Sequence, residues 1–342
     1  MRLLEINTKS GNSEVIVGES VTQLEKYVNT KKSVIVIDKN IFPVIKGLLP
    51  KAEFIQIDAD EKNKTLETVE MLYNKFLELE LDRNSFVVGI GGGIVLDVTG
   101  FAASTYLRGI NFGFVPSTLL AQADASIGGK NGVNFKGYKN IIGTINQPVF
   151  VLCDFELLRT LPKNELKCGL AEIVKAAIIG DAALFSYIEE NIERILSLHR
   201  TALEKAVYDS LLVKSRIVAA DEKERNERRK LNLGHTIGHA IEKNSDISHG
   251  EAVSIGIILA SRISQERGLL SEKDSQRIES LFKRIGLPTS LSETKLKKET
   301  LMDAIRKDKK RDSDIINFVL IEAIGKTSIS GINLGELEKC LK

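Results

Sequence analysis

Phe86-Val-Val-Gly-Ile-Gly-Gly-Gly93 is an apolar run that stops in glycines, and a helical pattern follows it through about residue 106. A short apolar run bounded by turn residues reads as a buried strand. Glycines at such a strand end, opening a helix, are where a parallel α/β sheet receives a dinucleotide pyrophosphate. The backbone can approach the phosphates there, and free N–H groups at the helix N-terminus meet their charge. The run departs from a G-x-G-x-x-G pattern, and no ribose-binding acid stands about 20 residues further on. A structural tight turn is therefore the alternative reading of the glycines.

Working outward, residues 33–38 (SVIVID) and 54–57 are further short strands, 66–80 carries apolar residues at helical spacing, and 112–115 is another strand. Asp38 ends its strand, where a carboxylate can bond ribose hydroxyls; a plain strand-end turn is the alternative. This alternation predicts a mostly parallel sheet with helices on both faces. Between residues 156 and 285 no strand is evident, and 171–179, 183–194, 202–220, 232–242 and 251–266 read as helices. A late hairpin is expected from 315–321 and 327–329. The organisation expected is an α/β domain over residues 1–150 and a mainly α-helical domain over 151–342.

The 342 residues are 43% hydrophobic and 27% charged, which excludes disorder, collagen and a coiled-coil rod. Lys+Arg number 48 against 46 Asp+Glu, for a net charge of +2, so any anion site must be local. Nothing in that balance favours nucleic acid or a membrane surface. The apolar stretch 254–263 (SIGIILASRI) falls far short of the roughly 20 residues a membrane span needs. The opening MRLLEINTKSG has no signal-peptide core. Three sparse cysteines, Cys153, Cys168 and Cys340, suit reduced thiols and a cytoplasmic protein.

Three of the four histidines fall within residues 235–249, while His199 reads as a surface residue. His235 and His239 are i, i+4 and share a helix face, so their imidazoles can converge on one divalent metal or one substrate. A catalytic zinc with an open position needs a third protein ligand. Glu172, inside the apolar stretch Gly169-Leu-Ala-Glu-Ile-Val-Lys175, is a candidate, since a carboxylate there is costly unless paired or metal-bound. An i, i+3 ion pair with Lys175 is the alternative. Lys130 after two glycines, Lys139-Asn140, Arg228 and the lysines at 309 and 310 together suggest a pocket for an anionic substrate.

These residues sit in Gly91-Gly-Gly-x-x-x-Asp97, Val115-Pro-Ser-Thr-Leu-Leu-Ala-Gln122, Ile127-Gly-Gly-Lys130, Lys139-Asn-Ile-Ile-Gly143, Gly169-Leu-Ala-Glu-Ile-Val-Lys175, Asn232-Leu-Gly-His-Thr-Ile-Gly-His239 and His249-Gly-Glu-Ala252. In that order they resemble the 3-dehydroquinate synthases, a branch of the sugar-phosphate cyclases, from about residue 33 to 325. The resemblance implies a Rossmann-like NAD-binding domain, a helical metal-binding domain and a homodimer. It implies conversion of 3-deoxy-D-arabino-heptulosonate 7-phosphate to 3-dehydroquinate and phosphate, the second step of the shikimate pathway. The route is transient oxidation by NAD, phosphate elimination, re-reduction and aldol closure.

By the same resemblance the metal ligands fall on Glu172, His235 and His249, for zinc with cobalt as a possible substitute. His239 then becomes a substrate-phosphate contact, beside Lys130, Asn140, Asn232 and Lys309, the last chosen over Lys310. Arg108 reaches the phosphate from the partner subunit in the family, and Lys214 and Arg228 hold the substrate carboxylate. Lys175 and Asp124 match substrate contacts, and Glu224 matches an acid proposed as proton acceptor. Asp38, Asn40, Glu61, Lys64, Gly92, Gly93, Asp97, Ser117, Thr118, Lys139 and Thr160 fall on NAD-binding positions. Three departures lie on the cofactor side. Leu96 stands where many members have glycine and is expected to crowd the turn, Asp60 replaces a glycine, and Ser117 replaces a threonine. Cyclases that make valiolone-type or inosose rings are the nearest rivals, and Leu96 and Gly132-Val-Asn-Phe135 resemble the valiolone makers, but those enzymes lack the second histidine and the basic pair supplied here by His239, Lys214 and Arg228. A metal-dependent polyol dehydrogenase would not need phosphate and carboxylate groups held together, and a non-catalytic binding protein would be expected to lose some metal ligands, whereas all three are present.

Overall fold

The computed structural model describes residues 1–28, 32–308 and 315–340. It divides into two compact units, Met1–Leu161 and Pro162–Lys342. The division falls after Leu161 rather than near residue 150, because Phe150–Cys153 is a strand of the first unit's sheet.

The first unit comprises β1 (Arg2–Thr8), β2 (Gly11–Val17), β3 (Ser33–Asp38), α1 (Phe42–Ile45), β4 (Glu53–Ile57), α2 (Leu66–Glu78), β5 (Phe86–Gly91), α3 (Gly93–Thr105), β6 (Asn111–Pro116), β7 (Lys130–Phe135), β8 (Tyr138–Ile145) and β9 (Phe150–Cys153). Seven strands form one sheet in the order β1-β2-β9-β6-β5-β3-β4. All pairings are parallel except β1 with β2. Every residue of β5 is buried, as a parallel strand covered on both faces requires, and this is why its sequence is an unbroken apolar run. Ile35, Ile37, Val88, Ile90, Val115 and Phe150 join in one core beneath it. Leu96, 1% exposed, is buried in α3.

Ile37 pairs with Ile90, and Gly91 with Pro116, so the C-terminal ends of β3, β5 and β6 lie side by side. From β3 the chain leads to β4 on one side of the sheet, and from β5 to β6 on the other. The gap between β3 and β5 is therefore a topological switch point, the place where an open α/β sheet leaves a crevice at its strand ends.

The second unit comprises α4 (Lys163–Gly180), α5 (Ala182–Leu196), α6 (Arg200–Ala220), α7 (His235–Asn244), α8 (His249–Glu266), α9 (Glu272–Ile285), α10 (Lys298–Asp308), β10 (Ile315–Ala323), β11 (Lys326–Asn333) and α11 (Leu334–Cys340). α4 and α8 are buried nearly all round, as helices in the middle of a helical layer must be. The expected late hairpin is β10–β11, longer than its sequence pattern suggested. The helix expected from residue 232 instead starts at His235, because residues up to Asn232 form a 3-10 turn and Gly234 takes a left-handed φ of 78°. Among the described residues no helix is long and apolar enough to cross a membrane.

Candidate functional site

In the second unit three elements bring one carboxylate and two imidazoles together. Glu172 lies midway along α4, His235 opens α7 and His249 opens α8. Ser248 caps α8 in a reciprocal capping box with Glu251, which fixes where that helix begins. Glycine then allows the approach. A Cβ on Gly250 would stand 2.4 Å from the Cα of Cys168, and one on Gly234 would stand 2.9 Å from the carbonyl oxygen of Val253. Only with glycine at both positions can the start of α8 rest on α4, and the start of α7 on α8.

One donor atom from each of Glu172, His235 and His249 lies within 4.8 Å of the others. His249 Nε2 is 3.3 Å and His235 Nε2 is 3.7 Å from Glu172 Oε1. The opposite ring nitrogens are engaged. His249 Nδ1 lies 3.1 Å from Glu242 Oε2, and His235 Nδ1 lies 3.1 Å from the Leu233 carbonyl. Each acceptor favours a proton on Nδ1, so that in the neutral ring Nε2 is the nitrogen that can bind a metal beside Glu172, the arrangement that metal-binding histidines use. His239, on the same helix, stands with its ring 5.1 Å from that of His235 and outside the three-donor group.

Glu172 is 3% exposed. Burial alone would raise its carboxyl, but the Lys175 ammonium and the two imidazoles outweigh it and hold it well below the ordinary carboxylate value. The i, i+3 ion pair with Lys175 is thus present together with the histidine cluster. Glu172 Oε2, although in contact with Lys175, has no well-formed hydrogen bond. Burial and the Lys175 charge push His235 down, to about 3, so it is a neutral imidazole. For His249, burial is overcome by Glu172 and Glu242, which raise it to about 9. A cluster that retains a proton between two carboxylates is one that favours a cation. A buried carboxylate with two imidazoles suits zinc with open positions.

In the same unit, Asn232 Nδ2 donates to Glu224 Oε1 at 2.7 Å, with Glu224 at a left-handed φ of 57°. Arg228 is 3% exposed and donates through Nη1 to the Glu222 carbonyl at 2.6 Å, and Lys214 on α6 is 7% exposed. Lys309 and Lys310 lie outside the described residues.

The first unit groups the cofactor candidates at the ends of β3, β5 and β6. Asp38 Oδ1 accepts from the N–H and Nδ2 of Asn40, a strand-end turn that keeps the carboxylate at the sheet edge. Gly92 precedes α3 with no side-chain cap, leaving the helix N–H groups open for an anion. Ser117 N–H donates to the Gly91 carbonyl at 2.9 Å, and Thr118 lies against Gly92. Asp60 caps the 3-10 turn Glu61–Asn63 by accepting from the Lys62 N–H, which accounts for an acid where a glycine is usual. Lys64, 5% exposed, pairs with Asp97 and donates to Asn140 Oδ1 at 2.6 Å. That contact joins Asn140, expected on the substrate side, to cofactor candidates. Asp124 lies in the π turn Ala121–Ala125. Arg108, Lys130, Lys139 and Thr160 are exposed on their own elements, Arg108 in a turn where both it and Leu107 have positive φ.

Two polar residues escaped the sequence reading. Glu242 lies at the end of α7 and reads as a surface acid; its spacing of seven residues from His249 was the available signal. Asn134 offered no signal, because its partner Glu61 is 73 positions away.

The boundary between the two matching family models falls inside α4, a few residues after the division between the compact units. Residues 54–168 match the family described as 3-dehydroquinate synthase N-terminal, and 169–311 match 3-dehydroquinate synthase C-terminal. The 3-dehydroquinate synthase of Thermoanaerobacter pseudethanolicus is 44% identical over 330 residues, covering 93% of this chain and 92% of the relative. The chain belongs to the 3-dehydroquinate synthase family. Among solved structures, a 2-deoxy-scyllo-inosose synthase complexed with carbaglucose-6-phosphate, NAD+ and Co2+ is 25% identical, with a TM-score of 0.90 and 99% of both chains covered. ValA, a 2-epi-5-epi-valiolone synthase from Streptomyces hygroscopicus subsp. jinggangensis with NAD+ and Zn2+ bound, is 27% identical, with a TM-score of 0.87 over 100% of this chain and 97% of that one. The 3-dehydroquinate synthase family thus shares its fold with these cyclases.

Proposed function

We propose that the chain is a 3-dehydroquinate synthase, a phosphate-eliminating carbon–oxygen lyase that converts 3-deoxy-D-arabino-heptulosonate 7-phosphate to 3-dehydroquinate. NAD is its recycled cofactor and zinc its metal, with cobalt as a substitute. The observation that carries the proposal is the Glu172–His235–His249 group, in which each histidine turns Nε2 toward one buried carboxylate.

Glu172, His235 and His249 would hold the metal, and the β3, β5 and β6 ends with the α3 N-terminus would hold the dinucleotide. When bound, the cation supplies a Lewis acid that acidifies a substrate hydroxyl, and NAD supplies a reversible hydride acceptor. The protein's own groups then bind and move protons. Lys130, Asn140, Asn232 and His239 offer donors to phosphate oxygens, and Arg108 does so from a second subunit. Arg228, whose Nη1 donates to the Glu222 carbonyl, and Lys214 would meet the carboxylate. Glu224, which accepts from Asn232 Nδ2 through Oε1, would be the proton acceptor. Lys175 holds Glu172 ionised.

A cytoplasmic homodimer is the proposed state. The exposed apolar side chains Phe135, Tyr138, Ile141 and Ile145 on the β7–β8 hairpin support a covering partner. The test is to incubate zinc-loaded protein with catalytic NAD and the heptulosonate phosphate, following phosphate and 3-dehydroquinate together. Equal amounts of both, without net NADH, are expected. Net NADH without phosphate would point to a dehydrogenase. Phosphate from sedoheptulose 7-phosphate or glucose 6-phosphate, but not from the heptulosonate, would make the protein a sister cyclase.

A further inference from the structure

Asn134, in β7, closes a ring of hydrogen bonds between residues with different assignments. Its Nδ2 donates to Glu61 Oε1 at 2.8 Å, and its backbone N–H donates to the Lys64 carbonyl at 2.8 Å. Its Oδ1 accepts the backbone N–H of Asn140 at 2.9 Å. Lys64 Nζ completes the ring by donating to Asn140 Oδ1 at 2.6 Å, while also pairing with Asp97. Lys64 is 5% exposed, so its charge depends on these acceptors rather than on water. Asn140 sits at φ 52°, a left-handed conformation that asparagine tolerates better than most residues. The Asn134 carboxamide holds it there by capturing its N–H.

The ring fixes which way Asn140 faces. An ammonium has only hydrogens to offer, so the amide atom turned toward Lys64 is the oxygen. The Asn140 Nδ2 is then directed elsewhere, as a donor on an exposed residue. That is the polarity an anionic phosphoryl oxygen needs; the opposite flip would present an acceptor and repel it. On the other side of the ring stand Glu61, Lys64 and Asp97, the proposed cofactor residues.

We infer that Asn134 is a positioning residue that holds the Asn140 amide as an outward donor for a phosphoryl group and ties that orientation to the turn receiving the dinucleotide. The inference rests on the function proposed above. Asn134 itself touches neither ligand; it acts through Asn140 on one side and through Glu61 and Lys64 on the other.

Two variants separate these arms. Asn134→Ala removes both side-chain bonds. It should raise the NAD dissociation constant, read by calorimetry, and the KM for the heptulosonate phosphate at saturating NAD, each about threefold to tenfold. The inhibition constant of inorganic phosphate should rise in parallel with KM. Asn134→Asp keeps the acceptor for the Asn140 N–H but sets a carboxylate against Glu61. It should weaken NAD while leaving KM and the phosphate constant near wild type. A merely structural role would lower Tm and shift all three constants alike in both variants, and that result would overturn the inference. So would an Asn134→Ala protein with wild-type constants. Wild-type protein that fails to bind NAD or turn over the heptulosonate phosphate would remove the function reading itself, and this inference with it; an active wild type with an unaffected Asn134→Ala removes the inference alone.

Discussion

Glu242 meets the proposed metal site through His249, and as an acceptor at Nδ1 it favours the tautomer whose Nε2 can bind a metal. Its removal leaves Nδ1 without the acceptor that favours the required tautomer. Glu242→Ala should weaken zinc by about 10–100-fold, the usual effect of losing such a support, as read by competition with a chromophoric chelator. Glu242→Gln, which still offers an acceptor, should recover part of the loss. His239→Ala is the contrast: lying outside the three-donor group, it should keep zinc affinity and lose phosphate handling. Equal zinc loss in His239→Ala and Glu242→Ala would return His239 to the ligand set that its i, i+4 spacing first suggested. Spacing alone pointed to His235 with His239, because a sequence displays neighbours along one helix. It cannot display the meeting of α4, α7 and α8, which depends on tertiary packing. Glu172 was a candidate from its apolar surroundings, the choice of His249 over His239 came through the resemblance, and Glu242 came only from the structure.

At the scale of elements, burial on both faces made β5 legible, but it did not suffice for the shorter and equally buried β9. β5 is an apolar run because neither of its faces meets water. The β7–β8 hairpin was not read as strands because β8 is exposed along most of its length and shows no alternation of apolar and polar residues. β1 is likewise largely exposed and reads as a mixed polar segment. The packing of α8 on α4 was also hidden, since a glycine does not announce which backbone it touches. Gly250→Ala would place a Cβ 2.4 Å from the Cα of Cys168, and a backbone atom cannot swing aside as a side chain can. The helix start must shift, and His249 with it. Overpacking of this kind costs about 1–3 kcal/mol, so Tm should fall, and zinc affinity should fall with it. Gly47→Ala is the control, because nothing lies within 4 Å of its Cβ, and it should change neither. A Gly250→Ala protein with wild-type Tm and zinc affinity would show that the helix start is not held by that contact.

At the scale of the molecule, two units solve two recognition problems with different materials. The Met1–Leu161 unit presents backbone at strand ends and one helix N-terminus, which suits a dinucleotide. The Pro162–Lys342 unit presents buried side chains on packed helices, which suits a metal. A ligand that binds only the folded state raises the free energy of opening the segments it holds, by about 2.7 kcal/mol at a concentration one hundred times its dissociation constant. Zinc at that level should therefore slow amide exchange about 100-fold at the first turns of α7 and α8, if those turns open only when the ligands separate. NAD should slow exchange in another place, at the start of α3 and the 3-10 turn Glu61–Asn63. Hydrogen exchange read by mass spectrometry with each ligand alone distinguishes these patterns. Zinc protection confined to the sheet unit, or NAD protection confined to α7 and α8, would reverse the assignment of the two sites. Protection by each ligand in its own unit would tie the dinucleotide to the glycine turn at Gly91–Gly93 and the metal to Glu172, His235 and His249.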